Sequence, residues 1–280
     1  MKAPRFAYAR PASIAEALAL LQKHGDDARV LAGGQSLVPM MNFRVAAPKV
    51  LVDINRIGSL AGIKVTRSFV RIGALTRHVE LERSADIAEH LPLVAAAMPH
   101  IAHPAIRNRG TFGGSCALAD PAAELPACAL ALGATFVAAG KKGERRIAAR
   151  DFFKGLYATA LKAGELLVAA EFPLAKPGYA SAFGELARRH GDYAMVGVAA
   201  HGSTAGGKFS DMRVALFGVG DRPLRAPGFE KALEGQSAID VALAKLDDDL
   251  APRGDLHASA ATKLHLAKVL AGRVLRQLLP

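Results

Sequence analysis

Two glycine-bearing segments, Ala32-Gly33-Gly34-Gln35-Ser36-Leu37 and Arg109-Gly110-Thr111-Phe112-Gly113-Gly114-Ser115, offer the clearest chemistry in this chain. Glycine has no Cβ, so backbone can come close to a ligand and consecutive N–H groups can converge on an anion. A phosphate suits one such nest. A pyrophosphate, with two phosphates side by side, suits two nests clasping it from opposite sides, with Gln35, Ser36, Thr111 and Ser115 adding side-chain donors. Each segment alone also fits an ordinary tight turn, so the pairing of the two carries the reading.

Other chemistries find less support. Neither segment reads G-x-G-x-x-G after a strand, which argues against a Rossmann dinucleotide site. Gly202-Ser203-Thr204-Ala205-Gly206-Gly207-Lys208 matches the first seven positions of a P-loop, but Phe209 stands where Ser or Thr must hold magnesium. That stretch is expected to be a hairpin turn. His100 and His103 are three apart, yet Pro104 breaks the helix that would align them and no H-E-x-x-H occurs, so no metal site is expected. Gly34-Gln35-Ser36-Leu37-Val38 lacks the second glycine of a nucleophile elbow. No catalytic acid, base or nucleophile is assigned.

The elements that must position these residues read as α/β. Ser13 and Glu16 have capping-box spacing ahead of Ile14, Leu18 and Leu21, and Gly25 closes that helix. Apolar runs at Arg29 to Leu31 and Val50 to Ile54 read as strands, the order so far being strand, helix, strand, loop, strand. A hairpin is expected at Ile63 to Val65 and Phe69 to Ile72, and helices at Pro92 to Ile101 and Pro121 to Leu132. Strands are expected at Thr135 to Ala138, Arg146 to Ala148 and Leu166 to Phe172. Pro173 to Gly178 is the best domain boundary. Beyond it, Phe183 to Arg188 and Met212 to Gly218 read as strands, and Ala238 to Leu250 and His257 to Leu279 as helices.

The 280 residues are 51% hydrophobic and 22% charged, enough apolar surface to build a core and exclude low-complexity disorder. The longest apolar stretch, around Ala127 to Ala139, is broken by Gly133 and Thr135 and falls short of the ~20 residues a membrane-spanning helix needs. Lys2, Arg5, Arg10 and Glu16 precede any long apolar run, unlike a secretion signal. Cys116 and Cys128 lie in alanine-rich surroundings outside any C-x-x-C. They are expected to be buried, reduced thiols in a cytoplasmic protein, unable to ligate an iron–sulfur cluster. Subtracting 25 acidic from 36 basic residues gives +11. The charge is scattered except at Lys141, Lys142, Arg145, Arg146 and Arg150, a knot without interleaved aromatics. It reads as a solvated hairpin tip or a patch facing an acidic protein, and not as a nucleic-acid surface.

With Asp120-Pro121-Ala122-Ala123-Glu124-Leu125-Pro126 and Arg188-Arg189-His190-Gly191-Asp192-Tyr193-Ala194-Met195-Val196-Gly197-Val198 added, the two glycine segments make nearly the whole chain resemble a known family. It is that of the FAD-binding medium subunits of molybdenum hydroxylases, such as xanthine dehydrogenase and carbon monoxide dehydrogenase. The resemblance implies an α/β (α+β) fold. Residues 1–175 would form a vanillyl-alcohol-oxidase (PCMH)-type FAD-binding domain of two small α/β subdomains. Residues 178–280 would form a small C-terminal α/β domain with a three-stranded sheet, of the carbon monoxide dehydrogenase flavoprotein type.

The resemblance implies FAD as cofactor. Its pyrophosphate would be held by Ala32, Gly33, Gly34, Gln35, Ser36 and Leu37, and by Thr111, Gly113, Gly114 and Ser115. Ile101 and Leu167 match positions touching the flavin or the adenine, Glu124 an acidic position at a hydroxyl-bearing end, and Tyr193 a position near the isoalloxazine. Three residues depart from the family pattern: Ser115 replaces the usual Asn, Leu118 stands where many relatives have His, and Glu124 is longer than the common Asp.

The resemblance further implies an electron-transfer subunit working with a small subunit that carries two 2Fe–2S clusters and a large molybdopterin-cofactor subunit, as a dimer of heterotrimers. The rival is a free-standing flavoprotein oxidase or reductase of the same fold. Such enzymes often tether FAD covalently through His or Cys, and neither residue directly precedes or occupies the first glycine segment.

Overall fold

The computed structural model describes residues 2–279. Ser13 caps the first helix, Ile14–His24, accepting the Glu16 N–H at 3.2 Å, and Gly25 ends it at a φ of 48°. Ala17 and Leu21 on that helix pack with Val50 and Val52 of a parallel three-stranded sheet. Its order is Ala7–Ala9, Val50–Asp53, Ala28–Leu31. The central strand is buried along its whole length, as parallel strands covered on both faces must be. Ala28–Leu31 runs directly into the first glycine segment.

A five-stranded antiparallel sheet follows, in the order Ile63–Val65, Phe69–Gly73, Leu166–Pro173, Thr135–Gly140, Gly143–Ala148. Side chains alternate across it. Phe136 and Ala138 pack with the helical layer, whereas Val137 and Ala139 pack with the parallel sheet. The helix expected from Pro92 to Ile101 stops at Ala97, because Pro99 has no N–H to give to the preceding turn; the chain tightens into a 3₁₀ turn over Met98–His100. The helix expected from Pro121 begins at Glu124, since Asp120 Oδ1 accepts the Ala122 N–H at 2.9 Å and turns the chain first. The basic knot occupies the second hairpin of this sheet. Lys141 and Lys142 are exposed at the tip, Arg145 binds both Glu165 oxygens at 2.8 and 2.7 Å, and Arg146 pairs with Glu171.

The C-terminal sheet is antiparallel and has three eight-residue strands, Tyr179–Leu186, Val196–Ser203 and Ser210–Phe217, with the two-residue strand Leu224–Arg225 at its edge. The central strand, Val196–Ser203, went unread in the sequence. One face, through Val198, Ala200, Val214 and Leu216, packs with Ala271 and Val274 of the Ala260–Arg276 helix. The other, through Phe183, Ala199, Ala215 and Phe217, joins the core around the Glu124–Ala131 helix. Gly218 N–H also donates to Pro121 O at 2.8 Å. The helix expected at Ala238 to Leu250 divides into single turns, Asp240–Leu243 and Leu246–Asp249. The P-loop-like stretch is a hairpin connection with Gly206 and Gly207 at positive φ. No helix among the described residues is long and apolar enough to cross a membrane.

Candidate functional site: a cavity walled by two glycine segments

The two glycine segments meet backbone to backbone. A Cβ on Gly33 would lie 2.5 Å from Arg109 O and 2.9 Å from Gly110 Cα, so only glycine permits the contact. Gly34 adopts φ 72°, a left-handed conformation that costs other residues energy. Together the segments wall a cavity of about 680 Å³, inside the ~300–1,000 Å³ range of ligand sites. Ala32, Gly33, Gly34, Gln35, Ser36 and Leu37 line one side and Thr111, Gly113, Gly114 and Ser115 the other. Ile101, Leu167, Glu124 and Tyr193 line it too, so the residues that the resemblance assigned to FAD are brought to one place.

The two walls differ chemically. Among the described residues, no protein acceptor takes the backbone N–H of Gly33, Gly34, Gln35, Ser36 or Leu37. In the second segment the amides of residues 112–115 are spent inside the protein. Phe112 N–H donates to Thr76 O at 2.9 Å, Gly113 N–H to Ala74 O at 2.8 Å, Gly114 N–H to Thr111 Oγ1 at 3.1 Å and Ser115 N–H to Thr111 O at 3.0 Å. This follows from the helix Phe112–Leu118, where a loop was expected, with Thr111 as its N-cap. The second wall therefore offers hydroxyl groups and the positive end of a short helix dipole. Gln35 also differs from expectation: its Nε2 turns back to donate to Gly33 O at 2.9 Å.

Ionisable groups at the cavity are shifted mainly by burial. Burial raises the Glu124 carboxyl to about 7, with help from the Asp120 charge. Burial likewise raises Asp120, whose Oδ2 lies 3.5 Å from Tyr157 Oη. His78, which sequence reasoning missed, borders the cavity with neither ring nitrogen hydrogen-bonded. Burial brings it down to about 4, the nearby Thr111 backbone working the other way, so the ring is neutral at pH 7. His103, Asp120 and Tyr157 also line the cavity unforeseen as ligands. Gly191, at φ 86°, sits where a Cβ would meet the His103 ring at 2.7 Å, which brings the Tyr193 segment of the C-terminal sheet against the first domain. Nothing in composition or periodicity marks these residues, because loops from distant segments bring them together.

A family model described as the FAD binding domain in molybdopterin dehydrogenase matches residues 4–175. The chain belongs to this family of FAD-binding molybdopterin dehydrogenase subunits. A second model, described as the CO dehydrogenase flavoprotein C-terminal domain, matches residues 181–278. The alpha subunit of the 6-hydroxypseudooxynicotine dehydrogenase complex of Paenarthrobacter nicotinovorans is 41% identical, over 100% of this chain and 96% of that one. The carbon monoxide dehydrogenase medium chain of Afipia carboxidovorans is 40% identical, over 97% and 96%. The solved carbon monoxide dehydrogenase of Hydrogenophaga pseudoflava, also 40% identical, superposes with a TM-score of 0.96 over 99% of this chain and 98% of that chain.

This molybdopterin dehydrogenase subunit is thus a flavoprotein, an FAD-dependent oxidoreductase subunit of mixed α/β fold. The cavity fits FAD. Consecutive unpaired N–H groups suit a diphosphate, and apolar wall residues such as Ile101 and Leu167 suit flat ring systems.

Proposed function

We propose that this chain is the electron outlet of a molybdenum hydroxylase. A molybdopterin-bearing subunit oxidises the substrate, a partner with two 2Fe–2S clusters relays single electrons, and this chain passes them to a final acceptor. FAD supplies the means to take electrons singly and release them in pairs. The chain's own residues bind and orient. The N–H groups of residues 33–37 hold the pyrophosphate, with the Thr111 and Ser115 hydroxyls across from them. Ser115 reaches less far than Asn would, so its contact is weaker. Ile101 and Leu167 flank ring systems, Glu124 meets a hydroxyl-bearing end, and Tyr193 stands beside the isoalloxazine.

The observation that carries this reading is the run of unpaired amides opening into a cavity with an apolar rim. Phe43, Val45, Tyr157 and Tyr193 are 71%, 74%, 53% and 73% exposed, and all four border a groove that shares Gln35 and Ser36 with the cavity. Apolar side chains gathered in the open suit burial under a partner subunit.

The test is to purify the native protein with whatever accompanies it, then add the substrate of the molybdenum subunit without oxygen. Flavin bleaching that requires the two larger and smaller companions supports the proposal. A yellow chain that turns over substrate alone would establish a free-standing oxidase instead, and a colourless one would remove the flavin reading.

A further inference from the structure

Neither Asn55 nor Arg77 borders the cavity, yet their side chains tie its two walls together. Asn55 Nδ2 donates to Ala32 O at 2.9 Å and to Asp53 Oδ1 at 2.6 Å, while Asn55 Oδ1 accepts Arg77 Nη2 at 2.6 Å. Arg77 Nη1 reaches across to Arg109 O. The two carbonyls so held belong to the residues just before Gly33 and Gly110.

A trans peptide is planar, with its C=O and N–H pointing opposite ways. Fixing Ala32 O toward Asn55 therefore aims the Gly33 N–H to the other side of the same plane. Gly33 N–H belongs to the unpaired run. The Gln35 side chain does the same for the next plane, holding Gly33 O and so directing the Gly34 N–H. Arg77 fixes the Arg109 carbonyl against which Gly33 packs, so the second wall cannot slide away from the first. The link is anchored at both ends. Asn55 follows the strand Val50–Asp53, with its own N–H on Asp53 Oδ1 at 2.9 Å, and the Arg77 N–H is held by Glu80 Oε2 at 2.6 Å at the start of the helix His78–Arg83. Only one orientation of the Asn55 amide satisfies all these partners, because its oxygen must face Arg77 and its nitrogen the two acceptors.

We propose that Asn55 and Arg77 are positioning residues of the cofactor site, aligning the first segment's amides toward the diphosphate and locking the second segment behind them. The proposal rests on the assignment of residues 33–37 to the pyrophosphate. The bland alternative is plain structural glue between sheet and loops, and it predicts different behaviour.

The experiment uses the full chain carrying FAD, in wild type, Asn55→Leu, Arg77→Met and Arg77→Lys. Three things are read: the FAD dissociation constant by fluorescence quenching, the melting temperature of the flavin-free chain, and the two ³¹P resonances of bound FAD. Asn55→Leu and Arg77→Met are expected to weaken FAD binding by about tenfold or more and to move the ³¹P resonances toward those of free FAD. Arg77→Lys, which can reach Asn55 Oδ1 or the Arg109 carbonyl but not both, should fall between wild type and Arg77→Met. Should Asn55→Leu fail to fold, the order within the Arg77 series still decides. Weaker binding that tracks a fall in melting temperature, with unmoved ³¹P resonances, would show glue and overturn the proposal. So would wild-type affinity in folded variants. If the wild-type ³¹P resonances already coincide with free FAD, the pyrophosphate assignment itself fails.

Discussion

Gly33 presses so closely on the Arg109 carbonyl that a side chain has no room, the Cβ position being 2.5 Å from that oxygen. Gly33→Val should therefore part the two segments and leave the purified chain with little flavin, read as the flavin-to-protein absorbance ratio; a wild-type ratio would contradict the account. The glycine pairs were legible because their residue type is itself the signal. That the amides of Phe112 and Gly113 are spent was not, since their acceptors, Thr76 and Ala74, lie far back in the chain. A second residue-scale effect concerns charge. Burial raises the carboxyl of Glu185 to about 8, the Glu124 charge adding to it, and raises Glu124 itself to about 7. A raised folded pKa gives stability that is complete below the unfolded value near 4.5 and is lost as pH climbs through the folded one. The flavin-free chain should melt lower at about pH 9 than at about pH 6, and Glu185→Gln should flatten that slope. An unchanged slope in the variant would place the pH dependence elsewhere.

Elements built by short-range rules were readable, and those governed by distant partners were not. Ser13 and Gly25 mark the ends of the first helix in the sequence and in the structure alike. Pro99, by contrast, cuts a helix that its apolar neighbours favour. Val196–Ser203 carries Ala199, Ala200, Gly197 and Gly202, residues of weak strand preference that owe their conformation to strands on both sides. Phe112–Leu118 is likewise a helix whose start depends on Thr111 as cap. Thr111→Ala should lower stability by ~1 kcal/mol through the lost cap and weaken FAD as well. Thr111→Ser should restore both, since it keeps the oxygen; equal losses in the two variants, measured by thermal melts and flavin titration, would mean the hydroxyl is unimportant.

At the scale of the whole molecule, one hydrophobic core spans the two segments that the family models match, residues 4–175 and 181–278. Phe183 and Phe217 stack at 5.8 Å and belong to the same cluster as Leu125 and Phe136 of the first domain. The chain should accordingly melt in a single calorimetric transition, and Phe217→Ala should cost ~3–5 kcal/mol while keeping the transition single. Two separate transitions in the wild type would show that the domains are independent. That continuity matters for the site, because the Tyr193 segment reaches the cavity only while the C-terminal sheet stays docked.

Backbone amides of residues 33–37 are expected to meet the diphosphate of FAD, and a crystal structure of the flavin-bound chain tests this most directly. The expected result is FAD phosphate oxygens within hydrogen-bonding distance of several of those N–H groups, with the second segment contributing hydroxyls. Phosphates bound elsewhere, with these amides facing only water, would contradict it.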